Sequence, residues 1–424
     1  MSEHLLGPVK QVYRWIEASE RWVDREAINL YAGTNRQSSA VRRAMQTTLN
    51  ARPSLGDPGD KYETGLEYSD RIETWTCDRI RTVFSARWVE HRVLSGSMAN
   101  LYALMATTKP GDTVYAMPSA AAGHATHHQE GAAGLYGLHV ENIPLVPGTH
   151  LINWPQWQEE VAQLHPRLII LGSSLPLLPV DVAKAREIAD AVKAYLMYDA
   201  AHVAGLVAAG RFQQPLQQGA HLMTMSTYKT LGGPAGGLVV TNDGDLAQRI
   251  HAIAYPGLTA NFDMARVAGL GIACHELEVF GQAYADQCLR NAARLAEELV
   301  ARNIPVWRPD GEHSEQITES HLVAIDASNY GGGTRAARRA EASYVLFSGI
   351  PLPIPEVAQD YNGIRLGVQE ITRLGMHEAE MAQVADFIDK ALNAPERAEK
   401  TRREVREFRR EFQTVQFGFH VDED

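Results

Sequence analysis

Lys229 lies in Ser226-Thr227-Tyr228-Lys229-Thr230, between an apolar, strand-like run (Ala220 to Met225) and the turn Leu231-Gly232-Gly233-Pro234-Ala235-Gly236-Gly237. Lysine is seldom placed where the flanking chain turns inward unless it is paired or bonded. An imine to a carbonyl compound is one way to hold it there, because the imine removes the charge-burial problem and creates an electron sink. The plainer reading is a surface lysine at a strand end. Four upstream segments bear on the choice. Ser95-Gly96-Ser97 opens a helix at Met98-Ala99-Asn100, and backbone N–H groups at such a start favour an anion such as phosphate. Ser-Gly-Ser is also a common turn and cap. Gly123-His124 falls in a small-residue loop, where an imidazole can stack on a flat ring or serve only as a loop residue. Tyr198-Asp199-Ala200-Ala201-His202 ends a strand with a carboxylate, which can keep a pyridine-type nitrogen protonated or cap the next helix. Gly172-Ser173-Ser174 closes the run Ile169-Ile170-Leu171 and offers hydroxyls at the same edge.

These residues need a scaffold that gathers strand ends. From about Arg92 to Asn242 the chain alternates helical and strand-like patterns. Helices are expected over 100–108, 157–164 and 182–194, and strands over 113–117, 167–171 and 195–198. Short β-rich runs separated by helices imply crossover units, a mostly parallel sheet and helices on both faces. Such sheets bind ligands at the carboxyl ends of their strands. The amphipathic stretch Leu277 to Arg302 could join this unit to a second one, which mixes a strand at Leu322 to Ile325 with a helix near Glu378 to Ala391. Arg397 to Arg410 carries mixed charge at helical spacing and reads as a solvated helix. The expected division is an N-terminal arm at 1–28, a large domain at 29–280 and a smaller α+β domain at 281–424.

Bulk properties narrow the class. The 424 residues exceed one ordinary core, and 45% hydrophobic with 21% charged residues is a globular composition. A net charge of -11 argues against general binding to nucleic acid or anionic membranes. No apolar run is long enough to span a bilayer, and the polar start Met1-Ser2-Glu3-His4 does not resemble an export signal. Cys77, Cys274 and Cys288 fit neither a disulfide framework nor a zinc cluster, so a reducing, cytoplasmic setting is expected.

In chain order these features read as anion cup, ring-stacking histidine, ring-nitrogen carboxylate and imine lysine. At this point the chain resembles the serine hydroxymethyltransferase family, within the pyridoxal-phosphate enzymes of the aspartate aminotransferase fold (fold type I). The resemblance runs nearly the whole length. It is densest at Ser95 to Asn100, Pro110-Gly111-Asp112-Thr113-Val114, Asp199 to Leu206 and Tyr228 to Pro234, with Gly363-Ile364-Arg365-Leu366-Gly367 and Thr372-Arg373 further on. It implies pyridoxal 5′-phosphate as cofactor, with Lys229 forming the aldimine and Asp199 pairing the pyridine nitrogen. It also implies His124 stacked on the ring and Ser95, Gly96 and Ser97 on the phosphate. Ser174 and His202 would lie on the phenolic-oxygen side, and Ser226 and Tyr228 would flank the lysine. Arg365 would hold the substrate carboxylate through its planar fork. The family implies a homodimer with shared sites, to which the segment around Tyr62 and the loop Pro256 to Asn261 would cross.

Departures from the family bear on the reaction. Its Lys-Tyr-Ala-Glu-Gly-Tyr-Pro-Gly segment reads Arg52-Pro53-Ser54-Leu55-Gly56-Asp57-Pro58-Gly59 here, which puts Leu55 at the glutamate. Leucine neither transfers a proton nor bonds a pterin. The tyrosine pair becomes Tyr62-Glu63, the early Ser-Glu-Asn becomes Gly33-Thr34-Asn35, Tyr228 replaces a histidine and Ala235 an arginine. The glycine pair of the crossing loop becomes Ala260-Asn261. The expectation is an aldol or retro-aldol reaction at the Cα–Cβ bond of a β-hydroxy amino acid, independent of folate. Within the family, length and the 52–63 segment most resemble aldolases of α-methylserine type, which convert 2-methylserine to alanine and formaldehyde. Glu63 and His124 are the candidate proton carriers, and Tyr62 joins Glu63 and Arg365 as a substrate contact. Alternatives are a folate-dependent hydroxymethyltransferase, a threonine transaldolase, a Cβ–S lyase or decarboxylating enzyme, and a cofactor-binding paralogue without activity.

Overall fold

Alternation of apolar side chains decides how the central layer is packed. In a computed structural model, which describes residues 3–311 and 316–421, seven strands form one sheet. They are β1 (Trp88–Val93), β2 (Thr113–Ala116), β3 (His139–Asn142), β4 (Leu168–Leu171), β5 (Tyr195–Asp199), β6 (Leu222–Ser226) and β7 (Gly237–Thr241). Their order is β1-β7-β6-β5-β4-β2-β3. The run from β3 to β6 is parallel, and β7 alone runs against both neighbours. The chain is thus α/β with a mostly parallel central sheet, as its alternating pattern predicts. Met1 and Ser2 lie outside the described residues. No helix among the described residues is long and apolar enough to cross a membrane.

The inner strands bury both faces, whereas the edge strand β3 is largely exposed, and successive residues go to opposite sides. Leu168, Ile170, Met197, Leu222 and Val239 pack with helix α1 (Gly96–Thr107). Ile169, Leu171, Leu196, Tyr198, Met223, Met225, Leu238 and Val240 join the larger core that contains helix α2 (Met264–Ala301). This period of two positions the site. Asp199 follows Met197 on the α1 side, and Thr224 follows Leu222 on the same side.

The helices at 154–164 and 182–191 and the strands fall within a few residues of their expected positions. The long stretch expected at Leu277–Arg302 belongs to one helix that begins at Met264 and runs unbroken through residue 280. Beyond it, β8 (Leu322–Asp326), β9 (Ser348–Ile350) and β10 (Gly363–Gly367) form an antiparallel sheet in the order β8-β10-β9. The early segment reaches this second sheet: Ile28 and Asn29 pair in parallel with Val345 and Leu346, and the Gly367 N–H donates to the Leu30 carbonyl at 2.8 Å.

A buried carboxyl group sits where these pieces meet. Glu370 begins the short helix after β10 and accepts hydrogen bonds from Asn29 Nδ2 (2.9 Å) and Thr34 Oγ1 (3.1 Å). Burial pushes its pKa up to about 7 against the opposing effect of those two bonds. A carboxyl whose folded pKa is raised favours folding below its unfolded value, near 4.5, and loses that contribution as pH rises through about 7. The difference corresponds to about 3 kcal/mol above neutrality. Glu370→Gln should therefore melt close to wild type near pH 4.5 and several degrees higher at pH 8, and a thermal denaturation series across that range checks it.

Candidate active site

The carboxyl ends of the parallel strands carry the polar groups. β5 delivers Asp199, whose Oδ2 accepts from Asn100 Nδ2 (2.9 Å) on α1 and from the His127 ring at 3.0 Å. Its Oδ1 accepts the Ala201 N–H at 2.9 Å. Burial would raise this carboxyl, yet the bonds from His127, Asn100 and Ala201 outweigh it and hold the group well below the usual carboxylate range. Asn100 is itself oriented, since its Oδ1 accepts from Thr224 Oγ1 on β6 (2.7 Å) and its Nδ2 also donates to Thr126 Oγ1 (2.8 Å). Asp199 is thus a permanently ionised acceptor on a rigid mount.

Lys229 stands on the turn after β6. That turn is closed by bonds from Gly233 N–H to the Thr227 carbonyl (2.8 Å) and from Thr227 Oγ1 to the Pro234 carbonyl (2.6 Å). Asn35 Nδ2 donates to the Lys229 carbonyl at 2.9 Å and ties the early segment to the turn. The Lys229 ammonium is buried and lies 3.1 Å from His202 Nε2. Burial pushes its pKa down to about 8; the Asp199 charge opposes this and Arg365 adds to it. Thr230 Oγ1 bonds the His202 carbonyl at 2.8 Å and fixes the two chains to each other.

Arg365 comes from β10, in the second sheet, and its guanidinium reaches the same histidine: Nη1 is 3.4 Å from His202 Nε2 and 2.7 Å from the Ser174 carbonyl. Nη2 lies 3.3 Å from Ser348 Oγ. Its buried Nε has no hydrogen-bond partner among the described residues, and no carboxylate there bonds Arg365 or Lys229. Desolvation brings the guanidinium pKa down to about 10. His202 is held neutral by burial and by the two cations beside it. A buried fork of N–H donors has the shape and charge to bind a carboxylate.

The remaining sequence candidates fall into two groups. Ser95 caps α1, its Oγ accepting the Met98 N–H at 3.2 Å, so Ser95, Gly96 and Ser97 form the start of a 12-residue helix. Gly96 abuts Ser226 Oγ so closely that any Cβ at 96 would collide with it. The loop after β2 brings His124 to the cluster, where Nδ1 bonds Thr126 Oγ1 (2.7 Å) and burial lowers the imidazole to about 4. Ser174 contributes its carbonyl to Arg365, and Tyr228 is half-buried beside the lysine. Tyr62 and Glu63 lie elsewhere in the subunit. They follow the hairpin Gly56–Asp57/Asp60–Lys61, which is pinned by a 2.5 Å pair between Lys61 and the buried Glu73. Tyr62 is 85% exposed, and Glu63 accepts the Leu55 N–H at 3.1 Å. Neither residue hydrogen-bonds the Lys229 group among the described residues.

Sequence reasoning passed over His127, Asn100 and His321. His127 was discoverable from the His-x-x-His spacing with His124, and Asn100 as the one buried amide on a helix whose other buried residues are mostly Ala, Leu and Tyr. His321 is fully buried at the start of β8, with both ring nitrogens unpartnered among the described residues and a pKa lowered by burial to about 3. No local signal marks it.

Known proteins match this chain over comparable lengths. The profile of the serine hydroxymethyltransferase family matches residues 9–388. An alpha-methylserine aldolase from Ralstonia sp is 41% identical over 408 residues, covering 96% of this chain and 92% of that one. An alpha-methylserine aldolase from Variovorax paradoxus is 45% identical over 399 residues, covering 94% and 89%. A serine hydroxymethyltransferase from Methanopyrus kandleri is 38% identical over 416 residues, covering 98% and 96%. The protein is an enzyme of the aldolase and hydroxymethyltransferase kind. It belongs to the serine hydroxymethyltransferase family.

The lowered Lys229 pKa has a measurable consequence. At pH 7 about 10% of a pKa 8 amine is neutral and nucleophilic, roughly 300-fold more than for an unshifted lysine. Condensation of the cofactor-free protein with an aromatic aldehyde, followed by absorbance, should rise with pH to a midpoint near 8, and Lys229→Ala should abolish it.

Proposed function

We propose that this enzyme cleaves the Cα–Cβ bond of 2-methylserine to give alanine and formaldehyde, and runs the reverse addition, with pyridoxal 5′-phosphate at Lys229 and without folate. The observation that carries the reading is the convergence of Lys229 and the anion-free Arg365 on one neutral imidazole, His202. It puts an amine that can bind a carbonyl next to a fork that can bind a carboxylate. The residues fit the cofactor: an ionised Asp199 for a ring nitrogen, a neutral His124 for the ring face, and the start of α1 for a phosphate. The printed names of the Ralstonia and Variovorax relatives supply the substrate.

When bound, the cofactor supplies an electron sink for the pair left at Cα when the Cα–Cβ bond breaks. Everything else falls to the chain. Asp199, ionised and held by three donors, keeps a proton on the ring nitrogen. Arg365 would hold the substrate carboxylate through Nε and its remaining N–H groups and so fix the orientation of the bonds at Cα. His124 is neutral and its Nδ1 accepts the Thr126 N–H, so Nε2 carries the ring proton and can donate it to an oxygen on Cβ. Glu63 is the second candidate, acting in the site of a second copy of the chain. Leu55 gives no acid for folate chemistry, and a quaternary Cα has no hydrogen to lose in a side reaction.

The same reading includes a fold-type I homodimer in which the hairpin bearing Tyr62 and the loop at Pro256 to Asn261 cross between copies. The exposed Tyr62 ring supports that crossing. It also includes the division into an arm at 1–28, a large unit at 29–280 and a small unit at 281–424, supported by the separation of the seven-stranded sheet from the three-stranded one.

Purified holoenzyme should release formaldehyde and alanine in equal amounts from 2-methylserine with no folate present. Added tetrahydrofolate should change the rate by less than about twofold. Formaldehyde that appears only with tetrahydrofolate would establish a hydroxymethyltransferase instead. Arg365→Lys, which keeps the charge but loses the fork, should lower kcat/KM by about 100-fold.

A further inference from the structure

Tyr31 occupies a position that neither the cofactor nor the proton chemistry explains. The segment from Asn29 to Asn35 is stretched across the mouth of the site. It is anchored at one end by Asn29 on Glu370 and at the other by Asn35 on the Lys229 carbonyl. Between these anchors the Tyr31 backbone is held on both sides: its N–H donates to Asn29 Oδ1 at 3.1 Å and its carbonyl accepts from Gln369 Nε2 at 3.0 Å. The side chain folds back over Arg365, with the ring centroid 5.9 Å from the guanidinium carbon. The ring faces a buried cation, yet 40% of the residue stays exposed, so one side of the ring borders open space beside the carboxylate fork.

Gly33 makes this pose possible. A Cβ on residue 33 would stand 2.8 Å from Tyr31 Cε1, 3.1 Å from Cζ and 3.3 Å from the hydroxyl. Any side chain there would displace the ring, because the Tyr31 backbone has no slack to give. Position 33 is where the resembled family carries serine, and in this chain the glycine leaves the room the Tyr31 ring occupies.

We propose that Tyr31, held over Arg365 by the absence of a side chain at Gly33, is the residue that selects amino acids carrying a methyl group on Cα. The inference deepens the reading of the enzyme as a 2-methylserine aldolase and rests on it for the natural substrate. A carboxylate held by Arg365 leaves Cα one bond away, so the substituents on Cα come within van der Waals reach of the ring. The ring offers those substituents apolar surface. A methyl group gains by burial against it, whereas a hydrogen leaves a gap. A hydrophobic wall of this kind discriminates one methyl group by roughly 10-fold.

The test is the ratio of the dissociation constants for glycine and L-alanine, measured on the holoenzyme by calorimetry, alongside KM and kcat for 2-methylserine. Wild type should favour alanine by roughly 10-fold. Tyr31→Phe keeps the ring and should keep the ratio. Tyr31→Ala removes the wall, and Gly33→Ser pushes it aside. Both should bring the ratio close to one and raise KM for 2-methylserine by roughly 10-fold with a smaller change in kcat. Circular dichroism and the melting temperature of each variant identify any that fail to fold, and Tyr31→Phe then carries the comparison with Gly33→Ser. A ratio that stays within twofold of wild type in folded Tyr31→Ala and Gly33→Ser overturns the proposal. Wild type that binds alanine selectively through Tyr31 but releases no formaldehyde from 2-methylserine overturns the functional reading and leaves the role of Tyr31 standing.

Discussion

Two buried cations share one neutral imidazole at the carboxyl edge of the main sheet, and the rest of the site is arranged around that unfavourable fact. Lys229 and Arg365 both approach His202 Nε2. Each loses solvation on burial, which the Ser174 carbonyl offsets only in part for Arg365 and the Asp199 charge only in part for Lys229. The lysine responds by a lowered pKa, which makes it a better nucleophile. The arginine stays charged, because even the lowered value of about 10 lies far above neutrality. In the proposed reaction both would be answered, the amine by the carbonyl cofactor it would bind and the guanidinium by the substrate carboxylate.

Asp199 shows the opposite arrangement. It is as buried as the lysine, but three donors surround it, and so its charge is secure. The two designs are separated by the pleat of β5: Asp199 points to the α1 side, where Asn100 and the His124–His127 loop wait. A single strand position therefore decides that the carboxylate is satisfied by three donors, while no carboxylate among the described residues hydrogen-bonds the cations next to it.

The local elements could be read from the chain because their signals are local. A period of two in Ile169 to Leu171, a serine cap before Gly96 and a glycine-rich turn after Lys229 each depend on neighbours in sequence. The roles of Lys229, Asp199, His124, His202 and Arg365 followed from family resemblance, and the structure brings these five together. His127 and His321 were missed for different reasons. His127 carried a usable spacing signal, whereas His321 is an isolated histidine whose importance comes only from what packs around it. Tyr62 and Glu63 were read as site residues, and in the single subunit they sit on a hairpin pinned by Lys61 and Glu73, away from Lys229. Their membership in a site depends on a second copy.

The amino-acid order was sufficient for the secondary elements, the order of the chemical groups and the loss of an acid at Leu55, because all of these are properties of short segments. Three relations required the folded chain. One is the meeting of Lys229 and Arg365, 136 positions apart by their numbers, on His202. Another is the partnership of Glu370 with Asn29 and Thr34. The third is the Tyr31 ring laid over Arg365 above a glycine that leaves it room. Each joins segments from opposite parts of the chain through contacts of a few ångströms, and no composition or periodicity encodes such distances. They arise when the antiparallel sheet docks the end of its central strand β10 against the early segment and against the ends of the parallel strands.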